Sequence, residues 1–176
     1  MSARYTKHHI LNISFGFTLV ELLVVITILG IIVAIGLVSF RSAQERGLDA
    51  QRKSDLKQIA SALELYYSDY GKYPDAGAGT ILGCPSPDSG VCTWGAADKS
   101  FTDNKTLYMK VVPKDPTKGH SYLYRTVSVN SVPDTGFQLF ANLENSQDGS
   151  IISVNQTCGN ISCNFAVTSP NVSPSD

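Results

Sequence analysis

The chain has 176 residues, 14 basic side chains against 15 acidic ones, and 43% hydrophobic residues. A near-neutral balance without runs of like charge offers nucleic acid no electrostatic footprint, and the length suits one modest globular head. Residues 1–16 carry Arg4, Lys7, His8 and His9 and no acid, which assigns that end to the cytoplasmic side of a membrane.

From Leu22 to Phe40 the sequence LLVVITILGIIVAIGLVSF holds no charge. At 1.5 Å per residue such a helix reaches across a hydrocarbon core of about 30 Å, so the run predicts a transmembrane helix. It is longer than the apolar region of a secretory signal peptide, and it ends on Arg41 rather than on a small-residue cleavage site.

Beyond Arg41 the pattern changes. Leu56, Ile59, Ala60, Leu63, Tyr66, Tyr67 and Tyr70 fall on one helical stripe, with Lys53, Asp55, Lys57, Ser61 and Glu64 off it. No proline intervenes between Phe17 and Tyr73, so the apolar and amphipathic parts are expected to form one helix of about 53 residues and about 80 Å. Gly71, followed by Pro74, is expected to end it near Asp69 to Gly71.

Residues 74–100 are rich in Gly, Pro, Ser and Asp and read as a surface loop. A short helix is predicted around Asn104 to Lys110, then strands at SYLYRTV (121–127), GFQLFAN (136–142) and SIISV (150–154). Three short strands predict a small antiparallel sheet with one face covered by the amphipathic half of the helix, an α+β fold. The final SPNVSPSD is expected to be loose.

The four cysteines, Cys84, Cys92, Cys158 and Cys163, follow the apolar run without the CxxC spacing of a redox or zinc site. They read as structural disulfides, which places the residues after the run outside the cytoplasm. Of the three connectivities the local one, Cys84 with Cys92 and Cys158 with Cys163, is favoured. For catalysis, only His120 remains outside residues 1–16, in a Lys-Gly-His turn where an exposed side chain is expected, so an enzyme lacks its base. The tyrosines at 66, 67, 70 and 73 read as core packing.

Glu21 is a carboxylate one turn into an apolar helix, costly there by several kcal/mol unless partnered, and so a functional candidate. The competing reading puts it at the headgroup level, favoured by the positive end of the helix dipole. Gly30 and Gly36 would let neighbouring helices approach closely.

Gly16-Phe17-Thr18-Leu19-Val20-Glu21 ahead of the apolar run resembles the prepilin family. The resemblance implies a pilin-like fold and a leader of residues 1–16 cut between Gly16 and Phe17 by a prepilin peptidase. The new Phe17 amine is then N-methylated, and Glu21 pairs with that amine or a neighbour's to set the register of a filament. It further implies residues 17–40 as membrane anchor and filament core, residues 41–71 as the amphipathic half of the helix, and residues 72–176 as the head. Gly30 matches the family's pattern, whereas Val38 stands where many members have a kinking proline.

DAQRKSDLKQIASALELYYSDYGKYP (49–74) and VPKDP (112–116) are similar to the major pseudopilin of type II secretion systems and related pilins. Several of those proteins hold calcium in an acidic C-terminal loop; here that region offers only Asp134, Glu144 and Asp148, so no metal is expected, with Asp148 in NSQDGS (145–150) the sole calcium candidate.

The expected function is a structural subunit of a type IV pilus or a type II secretion pseudopilus. Its implied partners are further copies of itself, minor pilins, the prepilin peptidase, and an inner-membrane platform with its ATPase. Disulfides in place of an acidic calcium loop favour the pilus, while the 49–74 and VPKDP motifs favour the secretion type. The alternative is a monomeric membrane-anchored domain that captures a ligand through residues 75–103 and never polymerises.

Overall fold

The computed structural model describes residues 16–84 and 90–175; within 35–39 only the backbone is described. The leader up to residue 15, the surroundings of Gly36 and the side chain of Val38 therefore lie outside the described residues. The chain divides into two compact units, Met1–Arg41 and Ser42–Asp176, linked through one helix, α1, at Leu19–Tyr70.

In the first unit α1 begins after Thr18, and every large apolar side chain from Phe17 to Val33 is exposed on the single chain. Among the described residues no helix is long and apolar enough to cross a membrane. The predicted span, Leu22 to Phe40, includes 35–39, so its described side chains fall short of the required length. Thr27 Oγ1 donates to Val24 O at 2.7 Å, which satisfies the hydroxyl within the helix itself.

Among the described residues the second unit holds the rest of α1 and ten short strands. They are β1 (Ala76–Gly77), β2 (Thr80–Leu82), β3 (Val91–Cys92), β4 (Phe101–Thr102), β5 (Leu107–Met109), β6 (Leu123–Val129), β7 (Val132–Ala141), β8 (Thr157–Cys158), β9 (Ile161–Ser162) and β10 (Phe165–Thr168). The principal sheet has the order β10-β7-β6, all antiparallel, with Phe165 opposite Ala141 and Leu123 opposite Phe140.

Alternation along β7 decides the layering. Phe137, Leu139 and Ala141 join Leu56, Ile59 and Leu63 of α1 in the main core. The intervening Phe140 packs with Cys158 and Cys163 on the opposite face. The sheet is thus covered on both sides, by the helix and by the β8–β9 hairpin, rather than on the single face expected. Burial of large side chains such as Leu56, Ile59 and Leu63 stabilises by about 1.5–3 kcal/mol each.

The helix ends as its sequence predicts: Gly71 has φ +69° and its N–H donates to Tyr67 O at 2.7 Å. Tyr66 and Tyr67 pack against the core and Tyr73 is buried within it, but Tyr70, at the end of the stripe, is 48% exposed and donates to Asp103 at 2.5 Å.

Several local expectations are corrected. Residues 104–110 form no helix. Asp103 accepts from the N–H groups of Lys105 and Thr106, and this turn joins β4 to β5 as a hairpin. The SIISV segment is not a strand; Ile152 makes a backbone bond to Asn164, and the third strand is instead FAVT, β10. Residues 74–100 are more than a surface loop, because Ile81, Cys84 and Cys92 are buried in the main core. The SPNVSPSD tail is tied down: Ser169 N donates to Phe137 O at 3.1 Å, and buried Gln138 donates to Ser173 O at 2.7 Å.

Candidate functional site

The N-terminal segment carries the first group of predicted residues. Gly16 and Phe17 precede α1, and the Phe17 ring is 89% exposed. Thr18 and Glu21 form a reciprocal cap: Glu21 N donates to Thr18 Oγ1 at 3.2 Å, while Thr18 N and Thr18 Oγ1 each donate to Glu21 Oε2 at 2.9 Å. The carboxylate therefore has a partner in the uncut chain that the sequence reading did not name, although the T-x-x-E spacing encodes it. A Cβ added at Gly30 would meet nothing within 4 Å, so that face of the helix is open.

In the head, the structure builds a polar cluster that the periodicity concealed. Arg52 lies on the buried face of α1, with no exposed side-chain surface. Its guanidinium donates to Asp49 Oδ1 at 2.8 Å, to both oxygens of Asp115 at 3.0 and 3.1 Å, to Thr117 Oγ1 at 2.8 Å and to Glu144 Oε1 at 2.6 Å. Asp49 also accepts the backbone N–H groups of Glu144 and Asn145, and Asp115 accepts that of Thr117. Four of the Arg52 hydrogen bonds go to three carboxylates, which joins α1, the VPKDP segment and the turn after β7 at one point.

Burial works against the Arg52 charge, but the bonds to Asp115 and Glu144 outweigh it and raise its pKa. Burial would likewise raise Glu144, yet the Thr117 hydroxyl and Arg52 hold it below the usual carboxylate range. Asp55, predicted to lie off the stripe, is buried and accepts from the Tyr122 hydroxyl at 2.8 Å. Burial raises its pKa despite that bond.

Asp148, the calcium candidate, forms an ion pair with Lys53. Both its oxygens accept from Lys53 Nζ at 2.7 Å, and that ammonium holds its pKa down. Lys53, on the helix face read as solvent-exposed, also lies 5.6 Å from the centre of the Phe165 ring. Glu144 is engaged by Arg52, and Asp134 sits near the turn of the β6–β7 hairpin with φ +54°. Among the described residues no group of three His, Cys, Asp or Glu side chains could hold a metal ion.

His120 departs from the exposed histidine expected of a Lys-Gly-His turn. Its side chain is 16% exposed, and Nδ1 lies 4.0 Å from Asp115 Oδ1 and from Glu144 Oε1. The turn is pulled inward because Ser121 N donates to Cys158 O and Asn160 N to Gly119 O, which lace it to the β8–β9 hairpin. The cysteines pair as Cys84–Cys92, which ties the residue two places after β2 to β3, and Cys158–Cys163, closing β8–β9.

Residues 12–37 match the family model for the prokaryotic N-terminal methylation motif. The type II secretion system core protein G of Pseudomonas aeruginosa is 33% identical over 111 residues, which span 62% of this chain and 71% of that protein. Core protein G of Aeromonas hydrophila is 31% identical across 57% of this chain and 66% of its own length. The type IV major pilin PilA of Myxococcus xanthus is 37% identical over 60 residues, 34% of this chain and 27% of the pilin. No solved structure matches the chain. The methylation motif at the start of an uncovered apolar helix, joined to a head with this extent of similarity, places the chain in the pilin and pseudopilin family as a structural subunit of a pilus or pseudopilus.

Proposed function

We propose that the protein is the repeating subunit of a type II secretion pseudopilus, inserted in the inner membrane through residues 17–40 with its head outside the cytoplasm. It acts as a structural element and not as an enzyme. The observation that carries this reading is the uncovered apolar surface of Phe17 to Val33, which a single soluble chain would leave in water. In lipid, and then in a filament of identical helices, the same surface is covered throughout, so transfer between the two changes the apolar contribution little. Packing and polar contacts then decide the position of each subunit.

A prepilin peptidase cuts between Gly16 and Phe17, and the Phe17 amine is N-methylated. That amine becomes a cation beside the Thr18–Glu21 cap, so Glu21 acquires a charged partner, its own or a neighbour's, and fixes the axial register. Gly30 and Gly36 allow close helix approach. The pilin-like arrangement of anchor and head, the minor pilins and the ATPase-driven platform complete the proposal. The share of core protein G that the chain spans, 71% against 27% of the Myxococcus pilin, favours the secretion type over a surface pilus.

The test is electron microscopy of cells expressing the chain with its assembly machinery, paired with an assay of exported protein. Glu21→Ala is expected to reduce filaments at least about tenfold, since it removes a buried charge partner. Deletion of the subunit is expected to stop export while surface pili persist. Intact filaments with Glu21→Ala contradict the register role, and loss of surface pili with normal export assigns the subunit to a pilus instead.

A further inference from the structure

The loop NSQDGS (145–150) lies between β7 and β8, in the region to which the resemblance to type II pseudopilins assigns calcium. Calcium takes about six to eight oxygens, several of them from carboxylates. The donors present do not fit that set. Asp148 is the one carboxylate within the loop, and its Oδ1 already accepts the N–H of Ser150 at 2.9 Å. Glu144, just before the loop, accepts from Arg52 and from the Thr117 hydroxyl. Asp134 stands near the far end of β7 from this loop.

A cation is nevertheless held at the loop, and it is a side chain. Lys53 reaches over from α1, and its ammonium donates to Asp148 Oδ1 and Oδ2 at 2.7 Å and to Ser150 Oγ at 3.1 Å. An ammonium has three donors, and these three acceptors match them one for one. The Phe165 ring, 5.6 Å from Nζ, adds the attraction of an aromatic face. The side chains of Lys53 and Asp148 are 27% and 19% exposed, so water and salt screen the pair less than they would at an open surface.

The loop closes around this point. Asp148 N donates to Asn145 O at 3.0 Å, and Ile151 N donates to Asp148 O at 3.2 Å. Its entrance is fixed one turn earlier on α1, where Asp49 accepts the N–H groups of Glu144 and Asn145.

A dissociable ion stabilises a fold only as far as its concentration exceeds its dissociation constant, whereas a tethered ammonium is present whatever the solution contains. We propose that Lys53 is the built-in cation of this loop, in the role that the resemblance gives to calcium, so that the head keeps the loop ordered without a divalent ion. The inference concerns the head alone and is the same for a pilus and a pseudopilus.

The full chain in a nonionic detergent is compared in EGTA and in about 10 mM calcium, roughly a hundred times the dissociation constant of the tighter extracellular calcium modules. A calcium-held loop would gain several degrees in Tm under those conditions. The parent chain is expected to melt within about 2 °C of the same temperature in both. Amide exchange followed by mass spectrometry in EGTA then reads the role of Lys53. Lys53→Met is expected to speed exchange over residues 145–151 at least about fivefold while β7 keeps its protection. Lys53→Arg, which keeps a cation, is expected to stay within about twofold of the parent, as is Lys57→Met, the same loss of charge one turn further along α1. The proposal is overturned if calcium raises the parent Tm by more than about 2 °C, if Lys53→Met speeds loop exchange less than about fivefold, or if Lys57→Met loosens the loop equally.

Discussion

Arg52 illustrates how a single side chain can organise a small head. A guanidinium removed from water costs several kcal/mol, and it is tolerated here because each of its three nitrogens donates within the cluster formed by Asp49, Asp115, Thr117 and Glu144. Arg52→Met is expected to destabilise the head by about 3–5 kcal/mol, because it leaves three carboxylates without their cation. Thermal melting of the full chain in detergent, followed by near-ultraviolet circular dichroism, checks this; an unchanged Tm contradicts it. Asp55 is a milder case. Asp55→Asn keeps an oxygen to accept the Tyr122 hydroxyl and removes a buried charge, so stability is expected to stay within about 1 kcal/mol or to rise, whereas Asp55→Ala should lose about 1–3 kcal/mol. Neither role was visible to a hydropathy pattern. Such a pattern treats Asp49, Arg52 and Asp55 as solvent-facing, although their spacing of three continues the line of Leu56, Ile59 and Leu63. The DAQR and VPKDP motifs held the missing clue, and their Arg52 and Asp115 form one ion pair.

At the scale of elements, those with strong periodicity or a local stop signal were legible. Helix α1 ends at Tyr70 because Gly71 can adopt a positive φ, and β6 and β7 overlap the predicted strands because their alternation is long enough to register. Short pieces were not legible, because their conformation is set by partners distant in sequence. SIISV has the composition of a strand, but FAVT takes the edge of β7, where Phe165 to Thr168 pair with Ala141 to Gln138. The segment from Asn104 to Lys110 has helix-forming residues, but the Asp103 side chain captures two N–H groups and turns the chain. The β8–β9 hairpin supplies a direct test. Gly159 has φ +74°, and a Cβ there would lie 2.4 Å from Gly119 O, a backbone atom that cannot swing aside. Gly159→Ala is expected to cost about 2 kcal/mol or more and to loosen the contact between this hairpin and residues 119–121. A melting temperature equal to that of the parent chain would refute it.

For the whole molecule, the sequence predicted a mixed helix and sheet fold and a polymerising subunit, and the comparisons agree on the family. Folding stability should fall in acid through the clustered carboxylates. Glu144 titrates lower in the folded chain than its ordinary value of 4.5, so its contribution is complete above about pH 4.5 and is lost as the pH falls through the depressed value. Asp148 acts in the same direction through Lys53, while Asp55, raised by burial, opposes both. Tm measured between pH 7 and pH 3 is therefore expected to drop more steeply for the parent chain than for Glu144→Gln; parallel curves would mean that Glu144 is not linked to folding. The central claim, that this chain is processed to become a filament subunit, is tested most directly by the intact and N-terminal mass of the protein from cells with and without prepilin peptidase. The account predicts a mature chain beginning at N-methylated Phe17 when the peptidase is present and the uncut chain when it is absent. A chain that stays uncut in its presence, or that is cut after Phe40, would contradict it.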